Sequence, residues 1–363
     1  MVKNRFKKYL GVFLALIMSL SLYIPVPAKT GSFKLHMLDV GQGLSILMEN
    51  DGHYAIYDGG GRSRSSFVVS YLQKHGVKNL DYVVASHFDE DHISGLVGAL
   101  NVFGVSTVLC PDYEADTDIF ASFDDAAEAS GAEILHPEMG DSFDFAGAEI
   151  EVVGPVSYDE EKENDRSVAI KVSYGKTSFL MCGDTEEEAE GHLLDAGADL
   201  QADVLVVSHH GSNSSTSSKF LKAVNPPVAL ISCGKDNSYG HPGQKTLDRL
   251  REAGCEMYRT DRQGTVVCTS NGKKLKFDTD PCEDWTTNKK GEGTETQRTE
   301  TETPVASSTG GSGAYVCNEN SKKFHLESCE SVAKMAEKNK RYATESREEL
   351  IREGYSPCQN CNP

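Results

Sequence analysis

"ASHFDEDHISGL", residues 85–96, sets two imidazoles and three carboxylates into the six positions from His87 to His92, directly behind the apolar run "LDYVVA". A short apolar run closed by a polar burst reads as a buried strand whose end carries chemistry. His87, Asp89, Asp91 and His92 stand at i, i+2, i+4 and i+5. In a short turn the first two can reach one cation while the adjacent Asp91-His92 pair reaches a neighbour. The competing reading is a solvated acidic turn in which Asp89 or Asp91 caps a helix. The rest of the chain separates the two.

Working outward, "KLHMLDV", "HYAIYDGG", "DYVVAS", "EIEVVG", "SVAIKVSY", "TSFLMCGD", "DVLVVSHH", "VALISCG", "GTVVCTS" and "KLKFD" read as strands. The Asn-Asp-Gly in "SILMENDGHYAI" predicts a hairpin. "SSFVVSYLQKHG" and "GQKTLDRLREAG" have helical spacing, and Gly76 is a C-cap candidate for the first. Strands hydrophobic on both faces, mixed with amphipathic helices, predict an α/β fold with helices covering the outer side of a sheet. Strand after strand ends in ligand-type residues: Asp58, His87, Asp184, His209-His210, and the stretch Asp236 to His241. Five such ends converge on one sheet edge and make a site. Asp184, with two carboxylate oxygens, can bridge two ions. Two ions about 4 Å apart clamp a phosphoryl or acyl group and activate water near neutral pH. His53, His75 and His136 fall outside these motifs and read as surface or loop residues.

The chain of 363 residues carries a formal charge of −19. Its opening has a basic stretch (Lys3, Arg5, Lys7, Lys8), an apolar run from Leu10 to Ile24 and small residues at Val26-Pro27-Ala28. This predicts a secretory leader over 1–28, since about fifteen apolar residues fall short of the roughly 20 a spanning helix needs; the alternative is an uncleaved membrane anchor. The expected product is secreted, or retained at the cell surface, with no stable membrane span once the leader is removed. The charge is then about −23, and −21 over 32–280 alone. An acidic body repels polyanions, so a nucleic-acid substrate requires metal cations or a local basic patch to offset it. Residues 283–313, rich in Thr, Glu, Gly and Ser, predict a flexible linker between a domain at 32–280 and a small one at 314–363. Cys110, Cys182, Cys233, Cys255, Cys268 and Cys282 are scattered, whereas Cys317, Cys329, Cys358 and Cys361 crowd the last fifty residues. Export permits disulfides without fixing any pairing.

The motifs "LDVGQGLSILME", "IYDGGG", "SHFDEDHISGL", "NDRSVAI", "FLMCGDT", "ADVLVVSHHGSNSS", "LISCGKDNSYGHP" and "YRTDRQG" together resemble the metallo-β-lactamase superfamily, and within it the hydrolase domain of ComEC-type competence proteins. The resemblance implies an αββα sandwich with two divalent ions, Zn²⁺ or Mn²⁺, at one sheet edge. His87 and Asp89 would bind the first ion, Asp91 and His92 the second, with Asp184 bridging and His241 completing the second site. Asp89 stands where the wider superfamily has His, and "ENDRSV" stands where a further His is expected, leaving Asn164 and Ser167 as substrate contacts. Both changes trade nitrogen for harder oxygen, which moves preference toward Mn²⁺ or weakens Zn²⁺. Asp39, Gln42 and Asp58 read as organising the loops beneath the ions, and His209 and His210 can protonate a leaving group, hold a phosphate or supply a ligand, the alternative being that one of them packs beneath the site.

In the C-terminal piece, His325-x3-Cys329 is followed by Cys358-x2-Cys361, a set that can close around one structural Zn²⁺. It resembles the small Ada-type metal-binding module. Cys317 can replace His325 in that set, and disulfides are the alternative.

The expected function is an exported two-metal phosphodiesterase or nuclease acting on DNA, in which metal-activated water attacks phosphorus and Asp91, His209 and His210 carry catalysis. Arg62, Arg64 and Arg166 are the candidate phosphate contacts. The alternatives are hydrolysis of a small ester, lactone or amide at the same site, and a metal-bearing binding or sensing module without catalysis. No protein partner is inferable.

Overall fold

The computed structural model describes residues 31–288 and, further on, 315–318, 321–326, 329–333, 335–343, 350 and 355–358. The expected leader, most of the expected linker and Cys361 lie outside the described residues. The chain divides into two compact units at residue 292. Among the described residues no helix is long and apolar enough to cross a membrane.

The first unit is built in two similar halves. The first half runs β1 (Phe33–Met37), β2 (Ser45–Asn50), β3 (His53–Gly59), α1 (Ser65–Lys74), β4 (Asn79–Val84), α2 (Glu90–Val102), β5 (Gly104–Leu109), α3 (Asp118–Ser130) and β6 (Glu133–Leu135). The second runs β7 (Ser142–Phe145), β8 (Ala148–Gly154), β9 (Ala169–Tyr174), β10 (Thr177–Met181), α4 (Glu187–Asp195), β11 (Val204–Val206), α5 (Ser218–Val224), β12 (Val228–Ile231), α6 (Gln244–Glu252) and β13 (Glu256–Arg259). A short helix α7 (Thr260–Gln263) leads to β14 (Val266–Ser270) and β15 (Leu275–Phe277), which return to the first sheet.

One sheet has the order β15-β14-β1-β2-β3-β4-β5-β6 and the other β13-β12-β11-β10-β9-β8-β7. Each begins with antiparallel neighbours and ends in a parallel ladder, β3-β4-β5-β6 in one and β10-β11-β12-β13 in the other. Parallel neighbours need a crossover, and a helix supplies each of the six, α1, α2 and α3 in the first half and α4, α5 and α6 in the second. The β2–β3 hairpin turns at Asp51-Gly52, both with positive φ (52° and 83°), as a two-residue turn between right-twisted strands requires.

Period-2 alternation sorts the side chains. Phe33, Leu35 and Met37 of β1 enter a core between the sheets with Phe145, Ile150, Phe179 and Val204. A second apolar layer joins the outer face of the first sheet to Val68, Leu72, Ile93, Leu96 and Phe123 of α1–α3. A third joins the other sheet to Leu193, Phe220, Leu247 and Leu250 of α4–α6. The unit is therefore an αββα sandwich, as expected.

Helix α2 sits unusually low on its sheet. A Cβ at Gly95 would overlap the carbonyl oxygen of Gly59, and Gly95 N donates to Gly60 O at 3.2 Å. Backbone touches backbone here, which is why glycine occupies both surfaces and why the first turn of α2 reaches the end of β3.

Residues 283–288, expected as linker, are instead tied to this unit. Arg259, fully buried, pairs with Asp261 and donates from Nη1 to Asp284 O and Thr286 O, both at 2.7 Å. Asn288 Nδ2 donates to Asp261 Oδ2 (2.7 Å) and to His241 O (2.9 Å). A buried guanidinium has five donors to satisfy, and the tail supplies acceptors that the sheet lacks.

In the second unit, β16 (Tyr315–Asn318), β17 (Lys323–Leu326), β18 (Lys340–Ala343) and β19 (Ser356–Pro357) form a sheet of order β18-β16-β17-β19. Cys317 is buried against Phe324, Ala343, Leu350 and Tyr355.

Gly95→Ala should lower unfolding stability by about 1–3 kcal/mol, since the added carbon must push backbone apart. Gly191→Ala, in α4 with nothing near its absent Cβ, should raise it by up to about 1 kcal/mol through helix propensity. Urea midpoints of the two variants measure both.

Candidate metal centre

The carboxyl ends of the parallel strands meet at one edge, where open α/β sheets gather their polar residues. Asp58 closes β3. Ser86 and His87 follow β4, and Asp89 forms the extended N-cap of α2 with Asp91 and His92 in its first turn. Asp184 follows β10, the Ser208–Gly211 turn follows β11, and Ser232 follows β12.

The geometry starts from Asp58, which has no exposed surface. Its Oδ1 accepts from Ser86 N (2.8 Å), and its Oδ2 from Ser86 Oγ (2.7 Å) and His92 Nδ1 (2.7 Å). Ser86 Oγ has a single proton. Given to Asp58, it leaves that oxygen to accept from His87 Nδ1, 2.9 Å away. His210 Nδ1 lies 3.1 Å from the carbonyl of Ser232, which can only accept. All three imidazoles are thus protonated at Nδ1 toward the protein and present Nε2 to the interior of the site, the tautomer a metal ligand needs.

Those nitrogens and the acids form two tight groups sharing one member. Donor atoms of His87, His92 and Asp184 lie within 4.8 Å of one another, and so do those of Asp91, His92 and His210. His92 Nε2 is 3.3 Å from Asp184 Oδ1 and from His210 Nε2, and His210 Nε2 is 3.3 Å from Asp91 Oδ2. His87 Nε2 and Asp184 Oδ1 are buried without a hydrogen-bond partner. Orphaned buried atoms are costly unless another group occupies the gap. Divalent metal ions fit this donor set.

The acids of the site favour the charged form of its histidines. Burial disfavours charge on His92, but Asp184 and Asp58 outweigh it and hold the ring charged well above its ordinary range. Burial likewise opposes His210, yet Asp184 and Asp91 raise it to about 9. Burial would raise Asp184, and His210 and His92 overcome it and hold the carboxyl well below its usual value. Cations entering the site therefore displace protons rather than filling a neutral gap.

Each expected residue can now be located. Asp89 Oδ2 lies 3.6 Å from His87 Nε2 and its side chain is nearly half exposed. His210 is enclosed among the candidate ligands with its other nitrogen committed to Ser232, so it has no free proton-donor face and does not suit the leaving-group role. His209 is more open. Its Nε2 is 3.7 Å from Asp184 Oδ2, and its Nδ1 is 3.4 Å from Glu186 Oε1. His241 lies outside both tight groups, its ring 5.5 Å from that of His209 and its Nδ1 3.4 Å from Gln42 Nε2. Ser167 is not available to a substrate. It is buried, donates from Oγ to Asn164 O and accepts from Asp184 N, so it fixes the turn that carries Asp184. Asn164 contributes its carbonyl to that turn. Arg166 stacks over Tyr113, and Arg62 is exposed beside Glu90. Asp39 caps its own loop at Gly41 N. Sequence reasoning missed Ser86 and Ser232, whose roles depend on contacts with no local signature.

His209, His210 and Gly211 are consecutively left-handed, with φ of 52°, 54° and 82°. Two bulky residues in that region are strained, and such strain gathers where side chains must be aimed.

In the C-terminal unit, donor atoms of His325, Cys329 and Cys358 lie within 4.8 Å of one another, and His325 Nδ1 is buried without a hydrogen-bond partner.

Residues 38–235 match the family model described as the Metallo-beta-lactamase superfamily. The chain is 30% identical over 258 residues to ComE operon protein 3 of Bacillus subtilis, covering 66% of this chain and 33% of that protein. It is 29% identical over 248 residues to Competence protein ComA of Neisseria gonorrhoeae (67% and 33%). It thus spans about a third of the length of the curated relatives it matches. Igni18, a metallo hydrolase from Ignicoccus hospitalis, superposes with a TM-score of 0.45 at 14% identity, over 65% of this chain and 98% of that one.

Asp58→Asn keeps the shape of the side chain and removes its charge from His92. Metal affinity, read by competition with a fluorescent chelator, should fall roughly 10–100-fold.

Proposed function

The chain belongs to the metallo-beta-lactamase superfamily, and from that premise we propose that it is an exported two-metal phosphodiesterase that acts on DNA. It is a metal-dependent hydrolase of that fold, related to competence proteins. The observation that carries the finer reading is the pair of tight donor groups sharing His92. A phosphodiester brings negative charge to a domain of charge −21, and two adjacent cations are what allow it to approach. The competence relatives favour DNA among phosphodiesters.

His87, Asp89, Asp91, His92, Asp184 and His210 would hold the ions, with His241 beside them. The ions would supply Lewis acidity toward a phosphoryl oxygen and toward water. The remaining work belongs to the chain. Asp58 and Ser86 keep His87 and His92 in one tautomer, and Ser167 holds the backbone of Asp184. His209, partly open to solvent and not enclosed among the candidate ligands, takes the role of donating a proton to the departing oxygen.

A second reading, hydrolysis of a small ester or amide, has one observation in its favour. Phe88, between His87 and Asp89, borders a cavity of about 770 Å³ walled by Asp112, Glu114, Asp116, Asp124 and Asp125 over an aromatic floor. That wall repels a polyanion and suits a smaller substrate.

For the C-terminal unit, residues 314–363, we propose one structural Zn²⁺ held by His325, Cys329, Cys358 and Cys361. The leader would be removed near Ala28.

Full-length protein loaded with Mn²⁺ or Zn²⁺ should cleave single- or double-stranded DNA. A log–log salt slope no steeper than about −2 to −3 is expected, because few Lys or Arg contacts release counterions. His87→Ala should abolish cleavage, and His209→Ala should slow it about 100-fold or more. If both DNA forms stay intact while acyl substrates turn over, the small-substrate reading replaces this one. In the C-terminal unit, a chelator should unfold the structure and a reductant should leave it intact, as read by hydrogen exchange at 315–343. The reverse would establish disulfides.

A further inference from the structure

On the outer face of the first sheet, three donors from separate elements meet: His36 of β1, Glu49 of β2, and His75 just beyond the end of α1. All three belong to residues that neither the metal centre nor the C-terminal cluster uses. We propose that this is a further metal site, for a divalent ion of the zinc type.

Three observations carry it. The donor atoms of the three side chains lie within 4.8 Å of one another. His36 is 2% exposed, and its Nε2 has no hydrogen-bond partner. That nitrogen faces Glu49 Oε2 across 3.7 Å, too far for a hydrogen bond. Two donors bound at about 2.1 Å to a tetrahedral ion lie roughly 3.4 Å apart, so the gap is of metal size.

The surroundings are arranged to the same end. His36 Nδ1 is 2.9 Å from Tyr71 Oη. If Nδ1 donates to that oxygen, the Nε2 lone pair is left for an ion, the second contact that metal-bound histidines ordinarily make. Lys34 Nζ occupies the other carboxylate oxygen, Glu49 Oε1, at 3.0 Å and leaves Oε2 to the cluster. The ring of His75 stacks on Tyr71 at 4.4 Å and meets His36 edge to face at 4.9 Å, which fixes both imidazoles. Two nitrogens and one carboxylate oxygen select Zn²⁺ and its late first-row neighbours over Mg²⁺ or Ca²⁺. Glu49 and His75 are partly exposed, so the fourth position opens to water and the ion can exchange. Bound there, it would clamp the end of α1 to β1 and β2.

The test uses the full chain, stripped by chelator, kept reduced, and equilibrated with Zn²⁺ by dialysis. Elemental analysis should find one more Zn²⁺ per chain in the wild type than in His75→Ala or in Glu49→Gln. Both variants alter partly exposed side chains, so folding is preserved, and circular dichroism checks that it is. Zn²⁺ should also raise the thermal midpoint of the wild type more than that of either variant. Equal zinc content in all three proteins would overturn the proposal, as would equal thermal response.

Discussion

A single buried carboxylate organises the catalytic edge. Asp58 has no contact with solvent, sits in the left-handed region at φ 57°, and accepts from the backbone and side chain of Ser86 and from His92. A charge in that position is tolerable only with donors on every side. Ser86 relays the constraint to His87, so one acid sets the tautomers of two histidines on two elements. The contact also couples site to fold, because α2 can bring His92 to Asp58 only by lying on the glycine backbone at 59–60. A larger residue at Gly95 would lift the helix and pull His92 away from the carboxylate that aims it.

Much of this was legible from the chain. Strand ends rich in His and Asp stood out because parallel strands point their carboxyl ends the same way, so residues distant in sequence meet at one edge. The β2–β3 turn was legible because Asn-Asp-Gly has few alternatives. What escaped notice depends on packing. Helix α2 was hidden by its own first turn, where the ligand motif masks the apolar spacing that continues through Ile93, Leu96 and Leu100. His209 and His210 are adjacent and chemically identical, and only the fold shows that one is enclosed and the other open. Ser167 reads as a substrate contact because it stands where the wider superfamily carries a further His, whereas its hydroxyl is spent on the Asp184 turn. His75 looked like a surface residue because nothing nearby in sequence announces His36 or Glu49. The polar composition of 283–288 suggested a linker, yet a buried arginine requires acceptors that those six residues provide.

Charge organises the molecule at two scales. Across the whole surface the excess of acids repels other polyanions. At the metal centre the same residue types favour the charged form of His92 and His210. Proton and metal compete for one set of atoms, which makes the state of the site responsive to both pH and metal supply.

The left-handed run at His209-His210-Gly211 has a consequence for how such a protein drifts over generations. Each imidazole there costs roughly 1–2 kcal/mol of backbone strain that glycine would relieve. Against that relief stand the packing of the buried His210 ring, its bond to Ser232 O and the usefulness of the rings. A lineage that no longer needed the chemistry would be expected to lose these histidines early while keeping its two sheets. Their survival as a pair in a descendant is therefore a more sensitive sign of a working site than the sandwich that carries them.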